Sequence, residues 1–373
     1  MLPSPEQLVQ QVHDSPTQLV MAITGGGSRA VADLLEVPGG SRTLLEAIIP
    51  YSAPAMVELL GGMPDEFCSA AAARAMAMAA FRRALRCAPA DAAVAGVSCT
   101  ASLATDRPKR GPHRAHLAMQ TVTTTAAWRL VLHKDRRSRA EEERLVGRLL
   151  LNVIAESCNV SERLKLELLE GENVEASRVD APREWQDLLL GRSETVRITA
   201  QEGHPPLVMP GAFNPLHAGH RRMLEVAQEI TGHPPALELS IINVDKPPLD
   251  YVEIQRRLAQ FPAEQPVYLT RAATFEEKSR LFPTATFIVG VDTLRRVVSP
   301  QYYGGDERAC RLATERIAAR GCRFLVFGRD LGVGFVRLAD LDLPQEVQSL
   351  CREVPPHVFR EDVSSTELRK MGQ

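Results

Sequence analysis

The sequence predicts two α/β domains: a layered one in the N-terminal half, then a doubly wound, mostly parallel sheet. Three observations predict them. The chain has 373 residues, enough for two ordinary domains, each with its own core. In both halves short apolar runs alternate with helical stretches, the pattern of strands layered with helices. Between the halves, residues 170–206 are polar and carry Gly171, Pro182, Gly191, Gly203, Pro205 and Pro206, which read as a connection. The expected division is residues 1–169, a linker over 170–206, and a second domain over 207–373.

Each element has its own signal. Residues 19–23 form a short buried run that ends in the turn Thr24-Gly25-Gly26-Gly27-Ser28. A helix over 29–35 follows, closed by Val37-Pro38-Gly39-Gly40. Residues 44–49 and 92–98 read as strands, with a long Ala-rich helix over 68–85 between them. Residues 115–125 read as a strand with a Thr-rich end, and 141–153, continuing to 156, as an amphipathic helix. A short helix is expected at 184–190. From Leu207 onward, strands at 207–209, 237–242, 267–269, 286–289 and 324–327 alternate with helices, which is a Rossmann-like order of elements with right-handed crossovers.

Composition narrows the function. Lys+Arg 44 against Asp+Glu 46 leaves no overall field toward nucleic acid or membrane. Aromatic content is low, and no basic patch interleaved with aromatics appears, so nucleic acid is not an expected partner. The apolar stretch 70–80 is broken by Arg74 and too short for a bilayer, and no leader pattern is seen at the N-terminus. Seven cysteines are scattered without a C-x-x-C pair, as for reduced thiols. A cytoplasmic protein is expected, with homo-oligomerisation left open.

The most informative stretch is Pro210-Gly211-Ala212-Phe213-Asn214-Pro215-Leu216-His217-Ala218-Gly219-His220. It follows an apolar strand and precedes a helix. Backbone amides and the positive end of the helix dipole converge on an anion at such a place. Imidazoles there can donate hydrogen bonds to phosphoryl oxygens as charge develops.

These residues resemble the HxGH signature of the nucleotidylyltransferase superfamily, in its nicotinate/nicotinamide-mononucleotide adenylyltransferase form, G-[SG]-F-[DN]-P-x-H-x-G-H. Gly211, Phe213, Asn214, Pro215, His217, Gly219 and His220 match in order. The resemblance implies ATP as nucleotide donor, His217 and His220 as catalytic groups, and Gly211, Phe213, Asn214 and Gly219 around the nucleotide. Gly290-Val291-Asp292 resembles the family's G-x-D motif, which implies Gly290 and Asp292 near the ribose or base; a strand-end turn with Asp292 as helix N-cap accounts for the same residues. Ser364-Ser365-Thr366-Glu367-Leu368-Arg369 resembles its ISSTxIR motif, which implies that Ser364, Ser365, Thr366 and Arg369 bind phosphate. A capping box of Ser364 and Glu367 fits the same residues. Lys246 and Arg329 are candidates for the acceptor side, whereas Arg256 and Arg257 read as a solvated helix face.

The resemblance implies adenylyl transfer to a phosphorylated small molecule, nicotinamide or nicotinate mononucleotide. Mg²⁺ is expected to be held by the substrate phosphates and water, so no metal ligands are assigned in the chain. Cytidylyl transfer, adenylyl transfer to another phosphorylated metabolite, and a non-catalytic nucleotide-binding regulator are the alternatives.

The first half is similar over about residues 5–165 to the CinA C-terminal domain, the nicotinamide-nucleotide amidase family. Those enzymes show A-E-S-C-T-G-G, D-V-P-G-S-S and Y-S-N-x-x-K-x-x-L-L-G. Here Ala22 stands at the nucleophilic serine and Met56 at the lysine. Neither can do that work, so no amidase activity is expected. The turn 24–28 keeps amides that suit a phosphate or, equally, close packing. His113 and His116 read as a loop and strand start rather than a metal pair.

Overall fold

The computed structural model describes residues 2–106, 109–199, 203–243, 247–330 and 334–360. The chain divides into two compact units, Met1–Gln186 with Asp245–Gln255, and Asp187–Val244 with Arg256–Gln373.

The first unit is built on β1 (Thr17–Thr24), β2 (Leu44–Ile48), β3 (Ala93–Ser102), β4 (His113–Gln120), β5 (Thr124–Leu132) and β6 (Val174–Asp180), in the order β2-β1-β3-β4-β5-β6. β1 runs parallel to β2 and β3, and the pairs from β3 to β6 are antiparallel. Leu19, Met21 and Ile23 of β1 join a core with Leu8, Leu34, Leu117, Leu130, Val146 and Leu150.

Two differences from the sequence reading have local causes. The strand expected over 115–125 is a hairpin that turns at residues 121–123. The Thr121 hydroxyl accepts from the backbone N–H of Thr123 (3.3 Å) and Thr124 (3.0 Å), so a side chain takes the place of a ladder partner. Within 170–206, β6 extends the first sheet; it is mostly exposed, so it lacks the alternating apolar pattern that marks a half-buried strand.

On the opposite face lies the helix Ala70–Cys87, capped by Ser69, with Ala73 and Ala77 against Ala118 and Ala127. Its approach to β3 depends on Gly96, where an added Cβ would lie 2.1 Å from the Ala77 carbonyl oxygen and 2.2 Å from the Phe81 nitrogen.

Arg74 on this helix donates from Nε to both Asp250 oxygens, at 3.1 and 3.0 Å, with side chains only 11% and 9% exposed. Tyr251 is fully buried beside them; its hydroxyl donates to the Val122 carbonyl at 2.6 Å and its N–H to the Thr125 hydroxyl at 3.0 Å. Asp250→Ala would take the nearer carboxylate from a buried guanidinium and leave it Glu253 at 3.7 Å. A loss of about 3 kcal/mol in urea unfolding is expected. A loss under about 0.5 kcal/mol, the range of an ordinary surface change, would contradict it.

The second unit carries β7 (Thr195–Arg197), β8 (Leu207–Pro210), β9 (Ala236–Ser240), β10 (Val267–Thr270), β11 (Thr286–Gly290), β12 (Arg323–Phe327), the ribbon β13 (Arg329–Asp330) and β14 (Phe335–Val336), and β15 (Cys351–Val354). Its main sheet has the order β15-β12-β11-β8-β9-β10-β7, parallel except for β7 against β10. Apolar residues cover both faces. Val208, Phe287, Val289, Phe324 and Val326 join one core, and Leu207, Met209, Ile288, Leu325 and Phe327 the other. This explains the near-continuous apolar runs in the sequence. Strand order reverses between β8 and β11, the place where open α/β sheets bind ligands at the carboxyl ends of their strands.

Candidate active site

The turn after β8 starts at that reversal of strand order. Phe213 adopts a left-handed backbone, φ 46°, uncommon for a non-glycine residue and held here by its burial. Its ring meets Phe261 edge-on at 5.3 Å and His220 at 5.5 Å. A Cβ on Gly211 would sit 2.6 Å from that ring, so glycine is what lets the aromatic fold back under the turn.

His217 is the N-cap of the helix Ala218–Thr231. The His220 N–H donates to Nδ1 of His217 at 3.4 Å, and the His217 N–H donates to Nδ1 of His220 at 3.3 Å. This is a capping box made of two imidazoles, their ring centres 3.7 Å apart. Because each Nδ1 accepts, a neutral ring must carry its proton on Nε2. Burial, then the charge of His217 and of Arg329, pushes His220 down to about 3. Burial and Arg329 lower His217 as well. Both rings are therefore neutral N–H donors at pH 7.

The His220 ring is expected to show no titration between pH 8 and 5 by NMR, and a midpoint near 6.5 would refute that. The sign for stability follows. A folded pKa below the unfolded value means this contribution is complete above about 6.5 and is lost as pH falls toward 3.

Two further strand ends meet here. Gly290 caps the helix Val291–Val297 and Asp292 lies in its first turn, so Asp292 is not the N-cap. Its Oδ2 pairs with Arg329 Nη1 at 3.4 Å. Arg329 follows Gly328, where a Cβ would strike the Phe335 ring at 2.7 Å. The positive charge of Arg329 is near enough to lower both imidazoles. The structure thus gathers His217, His220, Asp292 and Arg329 at the ends of β8, β11 and β12. Lys246, Ser364, Ser365, Thr366 and Arg369 lie outside the described residues. Among the described residues, no group of three or more His, Cys, Asp or Glu could hold a metal.

Residues 208–371 match the family described as Cytidylyltransferase-like. No curated protein is matched by the chain. Among solved structures, the chain is similar to the competence/damage-inducible protein CihA from Agrobacterium tumefaciens, at 18% identity and a TM-score of 0.35, over 42% of this chain and 98% of that one. A competence- or damage-inducible protein from Enterobacter asburiae matches at 15% identity and a TM-score of 0.34, over 43% and 99%. A CinA superfamily protein from Escherichia coli matches at 15% identity and a TM-score of 0.31, over 41% and 88%. Likeness at this level transfers no activity to this chain. No helix among the described residues is long and apolar enough to cross a membrane.

In the cytidylyltransferase-like domain, sequence reasoning missed Arg257 and Gln260. Arg256 is exposed, as a solvated face requires, and also donates to Asn214, whereas Arg257 is 9% exposed and donates to the Ala212 carbonyl at 2.9 Å. A signal was present, since Ile254, Arg257 and Phe261 follow one helical stripe.

In the first unit, the Gly27 amide of the turn 24–28 is engaged by the chain itself. Glu143 accepts from the N–H of Gly27 (3.1 Å) and Arg29 (3.2 Å) and from the Ser28 hydroxyl (2.9 Å). A carboxylate of the chain itself sits at this turn, which by sequence suited a phosphate or, equally, close packing. Ala22 and Met56 are both buried. His113 and His116 stand three residues apart on β4 and so on opposite faces; His113 Nδ1 bonds Glu142 at 2.7 Å.

Proposed function

We propose that the cytidylyltransferase-like domain transfers a nucleotidyl group from a nucleoside triphosphate to the phosphate of a small acceptor, releasing pyrophosphate. The donor is ATP and the acceptor nicotinamide or nicotinate mononucleotide, a choice supported by the resemblance of residues 211–220 to that adenylyltransferase signature. The observation that carries the reading is the pair of neutral Nε2–H imidazoles capping a helix at the strand-order reversal.

An acceptor phosphate oxygen attacks the α-phosphorus. The bond from that phosphorus to the bridging oxygen of the β-phosphate breaks, and its electron pair leaves with pyrophosphate. The acceptor phosphate is largely ionised at neutral pH, so no strong base is needed. The chain's part is to position and to stabilise charge: two imidazole N–H groups and the helix amides meet the phosphoryl oxygens, and Arg329 adds a nearby positive charge. Mg²⁺ bound to the nucleotide would neutralise charge on the leaving pyrophosphate.

For the first unit, we infer no amidase activity, because Ala22 and Met56 stand where nucleophile and base are required.

The test incubates purified protein with Mg²⁺, ATP or CTP, and each mononucleotide, and measures pyrophosphate and dinucleotide. Dinucleotide with ATP supports the reading, and product with CTP alone changes the donor. No pyrophosphate above the enzyme-free rate with any pair would sink it. Ammonia release from nicotinamide mononucleotide would contradict the inference about the first unit.

A further inference from the structure

We propose that Gln260 and Arg257 are positioning residues that lock residues 212–216, so that both imidazoles meet the triphosphate in one geometry. This rests on the transferase reading of the same site.

One carboxamide performs two tasks. Gln260 Oε1 accepts from the Leu216 N–H at 2.8 Å, and its Nε2 donates to the Phe213 carbonyl at 3.0 Å. It ties together the two ends of the Asn214–Pro215 dipeptide as a neighbouring strand would. Arg257 holds the preceding carbonyl, that of Ala212, and Arg256 holds the Asn214 side chain. Four of the five residues 212–216 thus have a partner on 256–260. The turn itself forms no strand ladder, Pro215 has no N–H to donate, and Phe213 is left-handed. The carbonyls of Ala212 and Phe213 are satisfied by side chains instead, which makes the shape of the turn dependent on them. Because the Phe213 ring forms a wall of His220, a shift of the turn also moves the surroundings of that imidazole.

The test compares Gln260→Ala, Gln260→Glu, Arg257→Ala and Arg257→Lys with Gln265→Ala, whose carboxamide holds Pro235 instead. Melting temperature, kinetics of pyrophosphate release and NMR titration of His220 are measured for each. For Gln260→Ala, kcat is expected to fall about 30-fold or more with KM for the nucleotide within about threefold, as for a misplacement of about 1 Å. The His220 midpoint should rise toward the ordinary imidazole range as its packing loosens.

Gln260→Glu keeps the acceptor but sets a carboxylate oxygen against the Phe213 carbonyl, so it should fail likewise. Arg257→Lys retains a donor and should recover most of the rate lost in Arg257→Ala. Should Gln260→Ala not fold, the Arg257 pair decides the question. A lowered melting temperature with wild-type kcat and an unmoved His220 titration overturns the proposal. If the wild type transfers nothing to any acceptor, the transferase reading fails, and the His220 titration alone decides the clamp: a shift supports it and no shift overturns it.

Discussion

Replacing His217 or His220 with alanine is expected to slow nucleotidylyl transfer by roughly 10²–10³-fold, the loss seen when one preorganised donor to a developing oxyanion is removed. Each imidazole is neutral and donates through Nε2–H because its Nδ1 is engaged by the other's backbone N–H. The donors are therefore oriented before substrate arrives, and little reorganisation accompanies the reaction. His217→Ala also removes a helix cap, at a cost of about 1 kcal/mol. His217→Asn separates the two effects, since asparagine caps well but presents no imidazole. Its melting temperature should return toward that of the wild type while the rate stays low. Rates equal to wild type in both alanine variants, with the same acceptor, would exclude these histidines from the chemistry.

Gly96→Val should have the largest effect on folding of the first unit, a destabilisation of about 3 kcal/mol or more. The Cβ would meet the backbone of Ala77 and Phe81, and a backbone cannot rotate aside as a side chain can. The helix Ala70–Cys87 would have to lift off β3, exposing Ala73 and Ala77. Gly111→Ala is the matched control, because nothing lies within 4 Å of the added atom. Urea unfolding monitored at Trp128 reads the difference. A change at Gly96 no larger than at Gly111 would refute the close-approach argument.

The elements that were legible in advance share a cause. The strands of the second unit are buried on both faces, so their apolar runs stand out whatever lies around them. The turn 211–220 was legible because one local segment holds a glycine for close packing, a histidine at the N-cap and its partner one turn on. Elements formed by contacts distant in sequence were not. β6 is polar and exposed, and is a strand only because β5 supplies its hydrogen bonds. Asp250 and Tyr251 read as a helix start; their partners, Arg74, Val122 and Thr125, lie more than a hundred residues away. The turn 24–28 had a composition that suits a phosphate or close packing, and nothing near it announced that Glu143 bonds the Gly27 amide and the Ser28 hydroxyl.

The sequence by itself determined most of the order of strands and helices, the position of the histidine turn and the apolar side chains at Ala22 and Met56. These depend on local periodicity and on the chemistry of single side chains. Only the tertiary structure decided that Asp292 pairs with Arg329, that both imidazoles carry their proton on Nε2, and that Arg257 and Gln260 grip the turn. Hydrogen bonds and desolvation depend on distances between groups far apart along the chain, and those distances exist only once the sheet has formed.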